Sequence, residues 1–220
     1  MLPGDHARWS AARTRAVAGT ELRRSLLQFA LNGIAGSTLA PRPLRYYLLR
    51  ACGLSIDTFR IGSGCFFGGP EVTIGAGSTI NHRCFFDTTA RITIGRNTHI
   101  GPGVMFCTAS HEPGDAGERV GAATSGEIVV EDGCGIAAGA ILLAGVRIGS
   151  GSIVAAGTVV GRDLGPNGLY AGSPVRLVKR LDAPPRGPAA VAAVPDAEPA
   201  APADPEDRDD DLEDASAASG

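Results

Sequence analysis

The sequence predicts an all-β solenoid, a parallel β-helix assembled from six-residue units. In the stretch 130–160, aliphatic side chains recur every six residues, at Val130, Ile136, Leu142, Ile148, Val154 and Val160. A period of six fits neither an α-helix, which repeats about every 3.6 residues, nor simple strand alternation, so each unit must be a short strand plus a turn. Three units make one triangular coil, and stacked coils bury a continuous aliphatic column.

The same pattern occurs upstream, at Ile74, Ile80 and Phe86 and again at Ile94, Ile100 and Phe106. In every unit the residue four positions after the large apolar one is small or β-branched. Side chains two apart in a strand share a face, so this residue and the next large apolar one both point inward. The predicted inward partners are Ser78, Cys84, Ala90, Thr98, Val104, Ser110, Cys134, Ala140, Val146, Ser152 and Thr158.

Composition agrees with a solenoid of tight turns. The 31 glycines suit corners that need a positive φ, and an aromatic content of 5% suits a narrow interior in which we expect little room for rings. The net charge of −3 is uneven, because residues 183–220 carry ten acids and two arginines, a net −8 that leaves +5 on residues 1–182. A mildly basic domain without a clustered basic face favours a small anionic ligand over a nucleic acid.

The N-terminal region is predicted to precede and cover the solenoid. Residues 1–19 show no clear periodicity and are expected to be loosely ordered, whereas residues 20–53 are predicted to form a helical cap. A cap would cover the strand edge that the first coil otherwise exposes; contact with a membrane surface is the alternative. The expected features are a helix over Thr20–Ile34 that buries Leu22, Leu26, Phe29 and Ala30, and a second from Pro43 to Gly53 that buries Leu44, Tyr47, Leu48 and Ala51.

The solenoid is predicted to span residues 54–181 with one interruption. After Phe106 the six-residue count would place Glu112, Glu118 and Thr124 inside, which an aliphatic column cannot accept. Residues 111–127 must therefore leave the solenoid as an excursion loop, and loops on a rigid scaffold often carry function. Residues 182–220 are acidic and rich in Pro and Ala, which predicts a disordered tail.

Three short segments and the repeat itself resemble a known family. They are Ile80-Asn81-His82-Arg83-Cys84, Thr108-Ala109-Ser110-His111-Glu112-Pro113 and Ala171-Gly172-Ser173-Pro174. The chain resembles the hexapeptide-repeat acyltransferases, whose solenoid is a left-handed β-helix, and in particular the maltose, galactoside and exopolysaccharide O-acetyltransferases. The resemblance implies a homotrimer that transfers acetyl from acetyl-CoA to a hydroxyl of a sugar, polysaccharide or related small molecule.

The resemblance also suggests two catalytic residues. His111 marks the point at which the repeat fails, and an imidazole can remove a proton from a hydroxyl near neutral pH. It matches the family histidine that acts as general base. Asn81 follows the inward Ile80 and so points outward, and its amide can both donate and accept hydrogen bonds. It matches the family asparagine at the acceptor site.

Acetyl-CoA is expected to bind the C-terminal coils. By resemblance the thioester lies near the backbone of Ala138, with Ala156 one coil further on. Arg162, Arg176 and Lys179 match basic positions near the nucleotide phosphates, and basic groups suit phosphate chemically. The chain departs from the family at Gly135, where a Trp is frequent, so the pantetheine contacts differ there.

Residue patterns also bear on metal binding, on location and on two alternative functions. The five cysteines show no metal-binding spacing and are interpreted as small core residues, and no metal site is predicted. No signal peptide or membrane-spanning run is recognisable, which favours the cytoplasm. A zinc enzyme similar to the γ-type carbonic anhydrases would need three histidines per site, while His82, His99 and His111 are well separated. A non-catalytic solenoid scaffold is the other alternative.

Overall fold

The computed structural model describes residues 21–182, so the predicted loosely ordered N-terminus and all of the acidic tail except Asp182 lie outside it. Helix α1 occupies residues 21–28 and continues as a π-helix over Phe29–Ile34, and helix α2 is Arg42–Ala51. The rest of the described chain is a parallel β-solenoid, as the six-residue period predicts. No helix in residues 21–182 is long and apolar enough to cross a bilayer.

Three sheets form the faces of the solenoid, and the strands within them pair in parallel except at the C-terminal end. The first sheet contains β1 (Ser55–Ile56), β3 (Val72–Ile74), β6 (Ile92–Ile94), β11 (Ile128–Val130) and β14 (Arg147–Ile148). The second contains β4 (Thr79–Ile80), β7 (His99–Ile100), β12 (Gly135–Ile136), β15 (Ile153–Val154), β17 (Gly168–Ala171) and the antiparallel β18 (Arg176–Arg180). The third contains β2 (Phe66–Phe67), β5 (Phe85–Phe86), β8 (Met105–Phe106), β13 (Ile141–Leu142) and β16 (Val159–Val160).

The register stacks like upon like along the interior. Ile80 lies over Ile100, and Ile136 lies over Val154, so each coil continues the aliphatic column of its neighbour. Nine of the predicted inward partners are buried: Ser78, Cys84, Thr98, Val104, Cys134, Ala140, Val146, Ser152 and Thr158.

Two predicted inward partners differ from expectation. Ala90 is only half-buried, and the prediction for Ser110 is wrong, because Ser110 is exposed. The chain turns out of the third face after Thr108, which is fully buried, and its hydroxyl donates to Asp87 O at 2.6 Å. The interior position that the count assigned to Ser110 is filled by Ile128, which is fully buried and pairs with Ile92 after the chain returns to the solenoid.

The interior also holds more aromatic surface than the composition suggested. Phe67, Phe86 and Phe106 are fully buried and stack in register, with ring centroids 4.7 and 4.8 Å apart and rings tilted by only 7° and 8°. The expectation of little room for rings was wrong, because β2, β5 and β8 of the third sheet each bury one ring.

Helix α1 exists as predicted, but the face predicted to be buried is not. Leu22 and Phe29 are 62% and 64% exposed, while Leu31 and Ala35 are fully buried. The π-helical turn departs from the 3.6-residue period on which the predicted face was based. Gln28 and Asn32 also face the solenoid, while Leu22 and Leu26 remain exposed.

The polar side chains of α1 bind the edge of the third sheet. Asn32 Oδ1 accepts from Phe67 N at 2.8 Å, and its Nδ2 donates to Phe67 O at 3.0 Å, so the amide pairs with β2 as a further strand would. Gln28 Nε2 donates to Gly68 O at 2.6 Å. These bonds satisfy backbone groups that an open edge would leave unpaired.

Helix α2 begins and ends as the sequence predicts. Pro43 lies in its first turn, and Gly53, with φ of +102°, follows its end. The predicted face is wrong here too, because Leu44 and Tyr47 are exposed while Arg45 and Leu49 are buried.

Candidate active site

The excursion from the solenoid is a β-hairpin. Strand β9 (Ala109–Pro113) pairs antiparallel with β10 (Val120–Ser125), and His111 lies opposite Ala123. The hairpin begins two residues before the predicted excursion of 111–127, because Ala109 and Ser110 already pair with Ser125 and Thr124. All five residues of β9 are exposed, so the hairpin carries His111 away from the column.

The imidazole of His111 is oriented by the opposite strand. Its Nδ1 lies 3.1 Å from the carbonyl oxygen of Gly121. A carbonyl can only accept a hydrogen bond, so Nδ1 carries the hydrogen and Nε2 of the neutral ring keeps its lone pair. The ring is exposed, and Nε2 is thus an available proton acceptor.

Asp87 anchors the base of the hairpin. Its Oδ2 accepts from Ala109 N at 2.7 Å, and its Oδ1 accepts from Thr89 N and Thr89 Oγ1 at 3.1 and 2.8 Å. Partial burial raises the pKa of the Asp87 carboxyl, but the hydrogen bonds from Ala109 and Thr89 outweigh it and hold the pKa below its ordinary value. The charged form of Asp87 therefore holds the start of β9 in place.

Asn81 follows β4 and points outward, as predicted. Its Oδ1 accepts from His82 N at 2.8 Å, which leaves the amide NH₂ as the group it presents. The buried thiols of Cys65 and Cys84 both donate to the carbonyl of Asn81, at 3.2 and 3.3 Å, and fix its backbone from inside the column. The core interpretation of Cys84 is confirmed.

A cleft opens beside Asn81. We call it the Asn81 cleft, and its walls include Arg42, Phe59, Arg60, Asn81 and His82. Arg42 is the first residue of α2, so the helical cap contributes to this cleft. No sequence pattern predicts this cleft, because the five residues come from three separate segments.

Asn81 and His111 stand on different faces of one chain. Asn81 follows β4 of the second sheet, whereas the hairpin that carries His111 leaves after β8 of the third sheet. No hydrogen bond among the described residues connects the two side chains or their immediate partners.

Ala138 and Ala156 occupy equivalent turns on adjacent coils. Gly157 N donates to Ala138 O at 2.9 Å, so the two turns are stacked. Both alanines are exposed, and within residues 21–182 neither backbone N–H has a hydrogen-bond acceptor. Two outward N–H donors on neighbouring coils suit the amide and thioester oxygens of a pantetheine chain.

The three predicted phosphate-binding residues are only partly brought together. Arg162 donates to the carbonyl oxygen of Val175 at 3.0 Å, and Val175 directly precedes Arg176. Arg162 also lines a cleft with Ser173 and Pro174. Arg176 and Lys179 are exposed on β18. A bulge in β18 places them opposite Ala171 and Leu169, which are two positions apart on β17, so the two basic residues lie on the same side of the sheet.

The zinc-enzyme alternative would require three converging protein ligands. Among residues 21–182, no three His, Cys, Asp or Glu side chains converge as metal ligands would. His99 lies in β7 between Thr79 and Gly135 of the neighbouring strands, and His82 contacts Ser63.

Comparisons with known proteins agree with the geometry. Residues 127–162 match the family described as bacterial transferase hexapeptide (six repeats). A galactoside O-acetyltransferase from Lactococcus lactis subsp. lactis is 30% identical over 130 residues, which are 56% of this chain and 63% of that protein. The chain spans 49% to 63% of the length of the first curated relatives that it matches.

Two crystal structures extend the likeness over most of the fold. A maltose O-acetyltransferase from Clostridium difficile 630 superposes with a TM-score of 0.66 at 26% identity, covering 74% of this chain and 88% of that one. A hexapeptide-repeat-containing acetyltransferase from Vibrio cholerae O1 biovar eltor, complexed with acetyl coenzyme A, superposes with a TM-score of 0.61 at 29% identity, covering 83% and 97%. This chain therefore carries the hexapeptide repeat of bacterial transferases and has the fold of the hexapeptide-repeat acetyltransferases.

Proposed function

We propose that the protein is an acetyl-CoA-dependent O-acetyltransferase that acts on a hydroxyl of a sugar, a polysaccharide or a related small molecule. The observation that carries the proposal is the orientation of His111. Its Nδ1–H bonds to Gly121 O on a hairpin that leaves the solenoid, so that Nε2 faces outward as a proton acceptor. The relatives named as acetyltransferases support the same reaction class.

In the proposed mechanism His111 acts as general base. Its Nε2 takes the proton of the acceptor hydroxyl as the oxygen forms a bond to the thioester carbonyl carbon. The C–S bond then breaks, and the leaving thiolate takes a proton from the imidazolium, which gives the acetyl ester and free CoA. Gly121 O keeps the ring in one orientation throughout, because it holds Nδ1–H in both protonation states.

The donor acetyl-CoA is proposed to lie along the C-terminal coils. The free N–H of Ala138 would donate to the oxyanion, and that of Ala156 to the pantetheine, while Arg162 and Arg176 would bind the phosphates. Lys179 belongs to the proposal as a further positive charge on the same side of β18 as Arg176.

The acceptor is proposed to bind between subunits of a homotrimer. Asn81 and His111 stand on different faces of one chain, so a neighbouring copy must supply one of them if both serve the same substrate. A cytoplasmic location, where acetyl-CoA is supplied, completes the proposal.

The test is release of free thiol from acetyl-CoA in the presence of a panel of sugars, with the acetylated product identified by its mass. We expect His111→Ala to lower kcat by about 10²–10⁴, which is the usual contribution of a positioned general base. Glu112→Ala is the control, since its side chain leaves the same strand on the opposite side. A well-folded His111→Ala variant with full activity would exclude the mechanism, and a wild-type protein that acetylates no acceptor would favour the scaffold alternative.

A further inference from the structure

We propose that the acceptor is an anionic saccharide whose carboxylate, sulfate or phosphate group binds in the Asn81 cleft. The inference rests on the proposed function in that it takes this cleft as the acceptor site. The argument uses the charge, the hydrogen-bonding groups and the aromatic surface that the cleft presents.

The cleft is positively charged. Arg42 and Arg60 line it from the cap and the first coil, both are exposed, and none of the residues that line it is acidic. Within residues 21–182 neither guanidinium forms an ion pair, whereas Arg91 and Arg147 are paired with Glu71 and Glu131. Two unpaired guanidiniums that line one cleft repel each other, and an anion bound in the cleft relieves that repulsion.

The start of α2 adds to this potential. The helix begins at Arg42, and no acidic residue lies in its first turn. The partial positive charge of the helix N-terminus is therefore not neutralised locally. It reinforces the two guanidiniums and does not by itself define the site.

The neutral polar side chains of the cleft present donors. His82 Nδ1 accepts from Ser63 N at 3.1 Å, and a backbone N–H can only donate, so the hydrogen of the neutral ring is on Nε2. Asn81 uses its Oδ1 on His82 N and offers its NH₂. Together with the guanidiniums, these groups match a ligand rich in acceptor oxygens, as the anionic groups are.

Phe59 supplies an apolar surface in the same cleft. Its ring is 61% exposed, although a side chain of this size is usually buried. A flat ring gives a large contact area for the C–H face of a pyranose. A ring-shaped ligand with an anionic substituent would therefore use the whole cleft, whereas inorganic phosphate would use only its charged part.

Binding by NMR titration tests the inference without turnover. The neutral probe is methyl β-D-glucoside, and the anionic probes are methyl β-D-glucuronide, methyl β-D-glucoside 6-sulfate and methyl β-D-glucoside 6-phosphate. All are titrated in saturating CoA so that the donor site is occupied. We expect at least one anionic glycoside to bind tenfold or more tightly than the neutral one, with a loss of roughly 10- to 100-fold in the double variant Arg42→Gln/Arg60→Gln. The strongest of the three anionic probes identifies the group.

Matched variants separate charge at this site from charge in general. Arg91→Gln removes one exposed guanidinium outside the cleft and should leave binding unchanged, while Arg42→Lys/Arg60→Lys should keep part of the preference because it keeps the charges. The inference is overturned if no glycoside binds, if the neutral glycoside binds as tightly as the anionic ones, or if the anionic preference survives Arg42→Gln/Arg60→Gln.

Acetyl transfer to the same probes distinguishes this inference from the proposed function. Arginine-dependent binding without acetylation leaves the anion site established and removes the O-acetyltransferase assignment. Equal acetylation of neutral and anionic glycosides by the wild type and the double variant supports the O-acetyltransferase assignment and overturns the anion site.

Discussion

Thr158 is a buried polar residue whose hydroxyl has no hydrogen-bond partner in the described chain. It occupies the inward slot that Val104 and Val146 fill elsewhere. The other hydroxyls in this slot are satisfied: Ser78 Oγ donates to Gly95 O at 2.6 Å, Ser152 Oγ donates to Gly165 O at 2.8 Å, and Thr98 Oγ1 donates to Glu131 O at 3.0 Å. A buried unpaired hydroxyl costs stability.

We therefore expect Thr158→Val to raise the free energy of unfolding by about 1 kcal/mol, because the methyl replaces an unsatisfied group at nearly constant shape. Thr98→Val is the matched control and should lower it by a similar amount, since Cys134 N also donates to Thr98 Oγ1, at 3.3 Å. Urea unfolding of both variants measures the difference. A destabilised Thr158→Val protein would mean that the hydroxyl is hydrogen-bonded in solution.

The burial of Arg45 is a feature that the hydrophobic pattern cannot predict. Its guanidinium is buried and donates to four backbone carbonyls, those of Ala35, Ser37, Ala40 and Ile61, at 2.7 to 3.0 Å. Burial lowers the pKa of Arg45, yet the four carbonyls replace the water that the charge loses. The sequence around Arg45 predicts one more exposed arginine, because its partners lie in the turn between the two cap helices and in the first coil, which have no helical periodicity.

At the scale of elements, the solenoid strands could be predicted and the faces of the cap helices could not. A six-residue period is a local property, and each strand buries the residue that its own unit specifies. The cap helices bury what fits a surface made by other parts of the chain. Asn32 faces the solenoid because it binds the N–H and C=O of Phe67, which would otherwise be unpaired. The apolar Phe29 is left exposed. Binary patterning assigns these two residues the other way round.

The hairpin that carries His111 depends on Asp87, which leads to a prediction. Asp87→Ala should free Ala109 N–H and lower kcat by about tenfold, with little change in KM, because the base is misplaced and substrate contacts remain. Asp87→Asn keeps an acceptor oxygen and should recover part of the loss. Hydrogen exchange at Ala109 measures the anchoring directly. Unchanged protection of Ala109 in the Asp87→Ala variant would show that the hairpin is held by other contacts.

The anchoring by Asp87 also has a defined pH dependence. Because the pKa of Asp87 in the fold lies below its ordinary value of 3.8, its contribution is complete above that value and is lost as the pH falls through the lower, folded value. We expect the protection of Ala109, corrected for intrinsic exchange, to be constant above about pH 5 and to fall only below the ordinary value. The Asp87→Asn protein should show no such step.

At the scale of the whole molecule, the repeat predicts the path of the chain but not the composition of the sites. Asn81 was predicted to point outward and His111 to leave the solenoid with the excursion, and both do, but the residues around Asn81 were not predicted. Arg42 belongs to the cap, and Phe59 and Arg60 belong to the irregular first coil, where the six-residue count does not yet apply. Only the packing of the cap against the coils brings these segments together.

The separation of Asn81 and His111 on different faces also determines how the assembly can be tested. A general base must come within about 3 Å of the proton that it removes, directly or through one water. In the proposed trimer, one face of each copy meets a different face of the next, which is a heterologous, closed ring. Each of its three sites would then combine Asn81 of one subunit with His111 of its neighbour.

Mixed trimers of Asn81→Ala and His111→Ala subunits give a quantitative test of this arrangement. Each parent trimer has three defective sites and should be nearly inactive. Any ring that contains both kinds of subunit has one junction at which a subunit with intact Asn81 precedes a subunit with intact His111, whether the ratio is two to one or one to two. Mixed trimers, selected with two different affinity tags and verified by mass, should therefore recover about one third of the wild-type kcat per trimer. If both residues acted within one chain, no subunit of any mixed trimer would be complete, and the activity would stay at the level of the parents.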